Sequence, residues 1–131
     1  MRVERLAHNR VSLLIPDVQG AMPIAGKINR KAPPLRRGRA PFMQLVGAAR
    51  ATGIACRTSN DAGRYVCNYV YWRALETAEK PGGPDVVVFI HVPKLHDRAR
   101  GPANPKRPSL DQLARAAQAM LLVATAAARR R

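Results

Sequence analysis

The feature that most limits how this chain can fold is the unbroken apolar run Val86-Val87-Val88-Phe89-Ile90. A run of β-branched and aromatic residues bounded by turn residues predicts a strand buried on both faces, here over residues 85–92. Strands of this kind are typical of parallel sheets whose two faces are covered by helices. The run therefore predicts an α/β fold, a three-layer αβα sandwich with a mostly parallel central sheet.

The residues before this run predict the rest of a strand–helix–strand unit. A short strand is predicted over residues 54–57 and a helix over residues 64–79, with a right-handed crossover between the two strands. The helix is predicted because apolar residues recur at helical spacing, at Val66, Tyr69, Val70 and Ala74. The residues predicted to cap this helix are Ser59, Asn60 and Asp61.

Two further helices are predicted within a single domain that spans residues 1–131. One begins at Pro41 and runs to about Thr52, where Gly53 ends it. The other is opened by a capping box of Ser109 and Gln112. The apolar face predicted for this long helix consists of Leu110, Leu113, Ala117, Met120, Leu121 and Ala124.

The remaining segments are predicted to be extended or irregular. Residues 2–9 are predicted to be extended, and residues 11–15 to form a strand or a buried loop that ends at Pro16-Asp17. Residues 16–40, rich in proline and basic residues, are predicted to form a long irregular loop. Residues 94–108 are predicted to form a second loop, rich in proline and arginine.

The chain carries a net charge of +15, from 23 Lys+Arg against 8 Asp+Glu. The densest basic cluster lies in the first loop and consists of Lys27, Arg30, Lys31, Arg36, Arg37 and Arg39. Such a cluster suggests nucleic-acid binding. It is not interleaved with aromatic residues, however, and the sequence shows no helix-turn-helix, zinc-finger or RNP pattern. A solvated basic surface is the favoured interpretation, and a nucleic-acid partner is disfavoured.

The two cysteines, Cys56 and Cys67, provide neither a disulfide framework nor a set of metal ligands. Free thiols suit a reducing cytoplasm, and the first residues lack the apolar run of a secretory signal. The apolar stretch from Ala119 to Ala128 is too short to span a bilayer. The sequence therefore predicts a cytoplasmic protein with no bound metal and no membrane partner.

Cys67 and His91 have side chains suited to catalysis at the predicted positions. Cys67 falls in the first turn of its helix, where free backbone N–H groups and the helix dipole favour the nucleophilic thiolate. His91 falls at the carboxyl end of the buried strand, and both residues are expected at the sheet edge where α/β proteins place their sites. The residues alone leave two alternatives open: Cys67 as a small buried hydrophobe, and His91 as a satisfied core histidine.

Three segments occur in the chain in the order Glu4-Arg5-Leu6-Ala7-His8-Asn9, Gly63-Arg64-Tyr65-Val66-Cys67-Asn68 and Phe89-Ile90-His91-Val92-Pro93. They resemble, in order and spacing, the segments that carry the catalytic Glu, Cys and His of the pyroglutamyl peptidase I (pyrrolidone-carboxylate peptidase) family. Ile15-Pro16-Asp17 also matches an Ile-Pro-Asp segment of that family. The resemblance extends over nearly the whole chain.

The resemblance implies a cysteine peptidase that removes N-terminal pyroglutamyl residues from peptides through a thioester intermediate. It implies that Cys67 is the nucleophile, His91 the base and Glu4 the third member of the triad, although Glu4 by itself would be a surface carboxylate. It also implies that Ile15 and Val66 line the pocket for the lactam ring. No metal or organic cofactor is implied.

Two departures from the family accompany the resemblance. The family's N-terminal third, with its first strands, has no counterpart, as expected for a truncated homologue, a misplaced start codon or a degenerate gene. The missing strands are expected to leave one edge of the sheet unpaired. Such an edge favours self-association, so a homo-oligomer is expected. Leu14 stands where the family has an Arg close to the reacting carbonyl. The alternatives are an inactive pseudo-enzyme and, less favoured, a basic nucleic-acid-binding protein.

Overall fold

The computed structural model describes residues 1–96 and 107–130. Most of the loop predicted over residues 94–108 therefore lies outside the described residues. Within the described ranges the elements follow in the order β1 (Arg2–Glu4), β2 (Leu6–His8), β3 (Leu35–Arg37), α1 (Phe42–Ala51), β4 (Arg57–Ser59), α2 (Val66–Ala78), β5 (Phe89–His91) and α3 (Leu110–Ala128). The chain is α/β, which confirms the class predicted from the sequence.

A three-stranded sheet has the strand order β4-β1-β5. The predicted strand–helix–strand unit is present as β4, α2 and β5, but β1 lies between its two strands. Both strands are shorter than predicted and begin later along the chain. In place of a longer β5, the backbone of Val87 forms an isolated antiparallel bridge with Arg39, with N···O distances of 2.9 and 3.2 Å. Part of the apolar run predicted to be strand therefore pairs with Arg39, which is distant in sequence, outside the three-stranded sheet.

The residues group into two compact units, the first made of Met1–Val3, Ala40–Thr58 and Ile90–Arg131. Here α1 packs against α3, and α1 buries Leu45, Val46 and Ala49. The capping box predicted for α3 is confirmed, since Gln112 N–H donates to Ser109 Oγ at 3.2 Å and Ser109 N–H donates to Gln112 Oε1 at 2.9 Å. Gly53, at φ +85°, follows α1 as predicted.

The predicted apolar face of α3 is partly wrong. The buried residues of this helix are Ala116 and Met120, which lie one turn apart on one stripe. Leu110 and Leu121 are 65% and 67% exposed, and Ala117 is exposed as well. Leu121 follows Met120 directly, so it lies about 100° further round the helix. The small side chain of Ala116 occupies the buried stripe, while the bulkier leucines point outward.

The second unit consists of Glu4–Arg39 and Ser59–Phe89. Its core contains Ala7, Ala62, Tyr71, Trp72 and Leu75. Strand β2 pairs antiparallel with β3, and Ala7 lies opposite Arg36 in this register. The extended segment predicted over residues 2–9 is thus two strands with different partners. They are separated at Arg5, whose N–H donates to Ser59 and whose carbonyl accepts from Gly38.

Residues 11–15 form neither a strand nor a buried loop, so that prediction is wrong. Leu13, Leu14 and Ile15 are 49%, 87% and 42% exposed. The backbone is held at Val11, whose N–H donates to Gly26, and at Ser12, whose N–H donates to Arg64. These isolated contacts do not provide the continuous ladder that a strand requires.

Asn9 organises the second half of the basic loop. Its side-chain N–H groups donate to the carbonyls of Asn29, Ala32 and Pro33 at 2.7–3.1 Å. Its side-chain oxygen accepts from Asn29 N–H at 2.9 Å. The loop predicted over residues 16–40 is irregular up to β3, and Asn9 ties its second half to the end of β2.

Candidate active site

Cys67 is the second residue of α2, as predicted for a residue in the first turn. Its side chain is half-buried. Tyr65, in extended backbone conformation, precedes the helix and makes no capping hydrogen bond through its side chain. The N–H groups of a first helical turn have no partner within the helix, so this end of α2 presents donors and the positive end of its dipole.

The residues predicted to cap α2 do not cap it, and instead form a turn before the helix. Asp61 accepts a hydrogen bond from Gly63 N–H at 2.9 Å, and Ser59 Oγ accepts one from Asp61 N–H at 3.2 Å. Gly63 has φ +90°, a conformation that glycine adopts without strain. These contacts build a turn that ends before the helix begins, and they leave the first turn of α2 without a side-chain cap from these residues.

Asn68 follows Cys67 and is fully buried. Its side-chain oxygen accepts from His8 N–H at 2.8 Å. Its side-chain nitrogen donates to the carbonyls of His8 at 2.7 Å and Arg10 at 2.9 Å. The first turn of α2 is therefore bound directly to the backbone at the end of β2.

Glu4 is the last residue of β1 and is fully buried, so it is not a surface carboxylate. The Tyr71 hydroxyl of α2 donates to the Glu4 main-chain carbonyl at 2.9 Å. Burial and the negative charge of Glu4 both raise the pKa of Tyr71, so its phenol remains a hydrogen-bond donor across the ordinary pH range. Glu4 and the nucleophile predicted at Cys67 thus belong to the same unit and to elements in direct contact.

His91 is the last residue of β5 and belongs to the first unit. Its side chain is half-buried. The predicted position at the carboxyl end of a strand is confirmed. The juxtaposition of His91 with Cys67 stays a prediction.

The predicted pocket residues, Ile15 and Val66, are 42% and 53% exposed. The structure brings the segments that carry them together, because the Tyr65 hydroxyl donates to the Pro16 carbonyl at 3.1 Å. Tyr65 precedes Val66, and Pro16 follows Ile15. The two apolar side chains therefore lie on segments joined beside the start of α2.

The basic cluster of the loop is partly internal. Arg36 is buried, pairs with Glu76 at 3.6 Å and with Glu79, and lies over the Trp72 ring. Arg39 donates to the carbonyl of Ala78. These two cations are therefore held by α2 and are not available as a free basic surface.

Sequence reasoning missed Asn68, Tyr71 and Arg36. Asn68 is adjacent to the predicted nucleophile, which is the one local signal that singles it out. Tyr71 carried only the pattern of an aromatic residue on a helix, and Arg36 was grouped with the surface charges. Their partners are distant in sequence, so spacing alone could not identify them.

In the part of the chain that the structure describes, no helix has the length and apolar character needed to cross a membrane.

A model of the pyroglutamyl peptidase family matches residues 1–130. Among curated relatives, the pyrrolidone-carboxylate peptidase of Thermococcus litoralis is 38% identical over 96 residues, which cover 73% of this chain and 44% of the relative. That of Cupriavidus pinatubonensis is 34% identical over 116 residues, covering 88% of this chain and 54% of the relative. The chain thus spans about half the length of the curated relatives it matches.

Solved structures are similar as well. A mutant pyrrolidone carboxyl peptidase from Pyrococcus furiosus matches with a TM-score of 0.82 at 28% identity, covering 95% of this chain and 62% of that one. The pyroglutamyl peptidase I of Bacillus amyloliquefaciens matches with a TM-score of 0.77 at 25% identity, covering 94% of this chain and 58% of that one.

Proposed function

The chain belongs to the pyroglutamyl peptidase family, and from this membership we propose that it is a cysteine peptidase that removes N-terminal pyroglutamyl residues from peptides. The observation that carries the proposal is the place of Cys67, a half-buried thiol in the first turn of α2. A thiol at a helix start is close to backbone donors that favour its anionic, nucleophilic form.

The proposed reaction is acyl transfer in two steps. The His91 imidazole takes the Cys67 proton, and the sulfur forms a bond to the carbonyl carbon of the peptide bond that follows the pyroglutamyl residue. The peptide amine leaves with the proton from His91, which produces the thioester. Water then attacks the thioester, His91 takes its proton, and pyroglutamate is released as the Cys67 thiol is restored. Glu4 orients the imidazole and stabilises its charged form.

The first turn of α2 has a second role in this reaction. The carbonyl oxygen becomes negative in each tetrahedral intermediate, and the Cys67 backbone N–H would stabilise that charge. Ile15 and Val66 would form apolar walls for the lactam ring. An apolar contact to the ring would favour pyroglutamate over a charged N-terminus, since an ammonium group would lose part of its hydration there.

Hydrolysis of a pyroglutamyl fluorogenic amide tests the proposal. We expect Cys67→Ala to abolish turnover, and Cys56→Ala, which removes the other thiol, to retain it. The matched substrate is the prolyl amide, which has a ring of the same size but a charged N-terminus. Turnover that survives in Cys67→Ala, or prolyl amide cleaved as fast as pyroglutamyl amide, would contradict the proposal.

A second candidate is a non-catalytic member of the family. The exposure of Ile15 and Val66 favours this candidate, because both side chains would be expected to be more buried in an assembled pocket. A chain that fails to hydrolyse the pyroglutamyl amide, although Cys67 reacts rapidly with an alkylating reagent, would support this candidate. Turnover that depends on Cys67 would rule it out.

A further inference from the structure

The buried face of α2 carries two polar side chains that bind the backbone between β1 and residue 10. Asn68 and Tyr71 lie three residues apart, so they share one face of the helix. Both are almost completely excluded from solvent, at 0% and 1% exposure. Buried polar groups are expensive unless their hydrogen bonds are satisfied, so their contacts are specific features of the packing.

Asn68 uses both ends of its amide. The oxygen accepts from His8 N–H, and the nitrogen donates to the His8 and Arg10 carbonyls. The side-chain amide thus pairs with backbone N–H and C=O groups at the end of β2, as the backbone of a neighbouring strand would. Since Asn68 directly follows Cys67, these three hydrogen bonds fix the backbone of residues 8–10 to the turn that holds the thiol.

Tyr71 makes the second connection, one turn further along α2. Its hydroxyl donates to the main-chain carbonyl of Glu4, and its ring packs beside Phe89 with the ring centroids 5.8 Å apart. The ring contact fixes the direction of the phenol, and the raised pKa keeps its proton in place. Glu4 is the last residue of β1, so this hydrogen bond ties the end of the strand to α2.

We propose that Asn68 and Tyr71 are positioning residues that hold Glu4 in register with Cys67. The inference rests on the proposed function, in which Glu4 acts on Cys67 through the imidazole. Neither residue touches substrate in this scheme. Tyr71 acts on the carbonyl of Glu4 itself, and Asn68 acts on residues 8–10, which follow Glu4 along the chain. Such restraints matter because a displacement of about 1 Å in a catalytic group can reduce the rate greatly.

A double-mutant cycle separates positioning from general stability. Tyr71→Phe removes only the hydroxyl, and Glu4→Gln removes only the charge of the residue it is proposed to place. With Glu4 present, we expect Tyr71→Phe to lower kcat about fivefold with little change in KM, as for the loss of one hydrogen bond. In the Glu4→Gln background the same change should lower kcat less than about twofold. Tyr69→Phe, an exposed tyrosine of the same helix, is the control.

Asn68 is tested by Asn68→Ala against Asn9→Ala. Asn9 is also a buried asparagine with several hydrogen bonds to backbone, but its partners lie in the 29–33 loop. Both variants should lower the melting temperature, and Asn68→Ala alone should lower kcat. If Asn68→Ala does not fold, Asn68→Ser, which keeps one donor and one acceptor, replaces it. In every variant, alkylation of buried Cys56 reports global opening, so it is the internal reference for the alkylation rate of Cys67.

Several outcomes would overturn the inference. Equal effects of Tyr71→Phe on kcat with and without the Glu4 charge would show a purely structural role. Equal loss of kcat in Asn68→Ala and Asn9→Ala would show the same for Asn68. Failure of the proposed function is distinguishable, because the parent chain would then show no turnover that depends on Cys67. In that case the same cycle is measured on the alkylation rate of Cys67, where additive effects would again reject positioning.

Discussion

The guanidinium carbon of Arg36 lies 4.7 Å from the centre of the Trp72 ring. Arg36 comes from β3 and Trp72 from the buried face of α2, so this cation–π contact joins the basic loop to the core. The same guanidinium is paired with Glu76 and Glu79. A residue that sequence analysis assigned to a basic surface thus holds the second unit together, which weakens the case for nucleic-acid binding through the complete cluster.

We expect Arg36→Lys to lower the free energy of unfolding by about 2 kcal/mol, because a lysine cannot both stack on the indole and bridge two carboxylates. The matched control is Arg37→Lys, the exposed neighbour, which should change it by less than about 0.5 kcal/mol. Urea denaturation of both variants measures the difference. Equal effects of the two substitutions would show that the contact with Trp72 and the glutamates contributes nothing to stability.

Stability should depend on the charge of Glu76. The hydrogen bond from Arg73, at 2.7 Å, is the main cause that lowers the pKa of Glu76, and the amide of Asn29 assists. A carboxyl group whose pKa is lower when folded stabilises the fold above its unfolded pKa of about 4.3, and this contribution disappears as pH falls through the folded pKa. Glu76→Gln should therefore be less stable than the parent at pH 7.

The gap between Glu76→Gln and the parent should close in acid. Chemical denaturation measured from pH 7 down to about pH 3, below the unfolded pKa, follows this closure. The control is the same substitution in an Arg73→Gln background, where the gap at pH 7 should be smaller. A gap that stays constant with pH would assign the effect to packing rather than to charge.

Cys67 should be alkylated at least about ten times faster than Cys56 near neutral pH. Cys67 is half-buried at the start of α2, whereas Cys56 is buried and its burial raises the pKa of the thiol. Iodoacetamide treatment followed by peptide mapping gives both rates in one sample. His91→Ala should slow the labelling of Cys67, and Glu4→Gln should slow it less. Equal, slow labelling of both thiols would argue against an assembled triad.

Leu14→Arg should raise kcat about tenfold if the chain is a peptidase, since one added donor to the developing oxyanion is worth at least that much. The sequence resemblance matches Leu14 to an Arg of the family. Leu14 is 87% exposed, so the substitution removes little packing. The measurement is turnover of the pyroglutamyl amide. The control is Leu14→Gln, which is polar but uncharged and should give little gain. No gain from Leu14→Arg would show that this position does not face the reacting carbonyl.

Gly83→Ala should destabilise the protein by about 1–3 kcal/mol, the usual cost of overpacking. A Cβ at Gly83 would collide with the carbonyl of Thr77 and lie 2.9 Å from the Cα of Ala78, both backbone atoms that cannot move aside easily. Gly47→Ala is the matched control. A Cβ there meets nothing within 4 Å, and alanine favours the helix by up to about 1 kcal/mol. A thermal melt that orders the two variants the other way would contradict the packing at Gly83.

Features that depend on neighbouring residues could be predicted from the sequence, whereas contacts between residues distant in sequence could not. The capping box at Ser109 and the first-turn position of Cys67 depend on neighbouring residues, and both predictions are confirmed. The insertion of β1 between β4 and β5 depends on strand pairing across the chain. The roles of Asn68 and Tyr71 rest on partners 58–67 residues away. Which residues of α3 are buried and which are exposed likewise depends on the packing of α1 against it.

The reciprocal bonds between Asn9 and Asn29 close residues 10–28 into a loop with a fixed base. Within this loop, residues 17–20 form a tight turn in which Gly20 N–H donates to the Asp17 carbonyl, and Val18 inside the turn is fully exposed. With the base secured, doubling the number of residues in such a loop costs only about 0.6 kcal/mol of closure entropy. This turn is thus a graft point, where a fluorophore or an affinity tag can be installed.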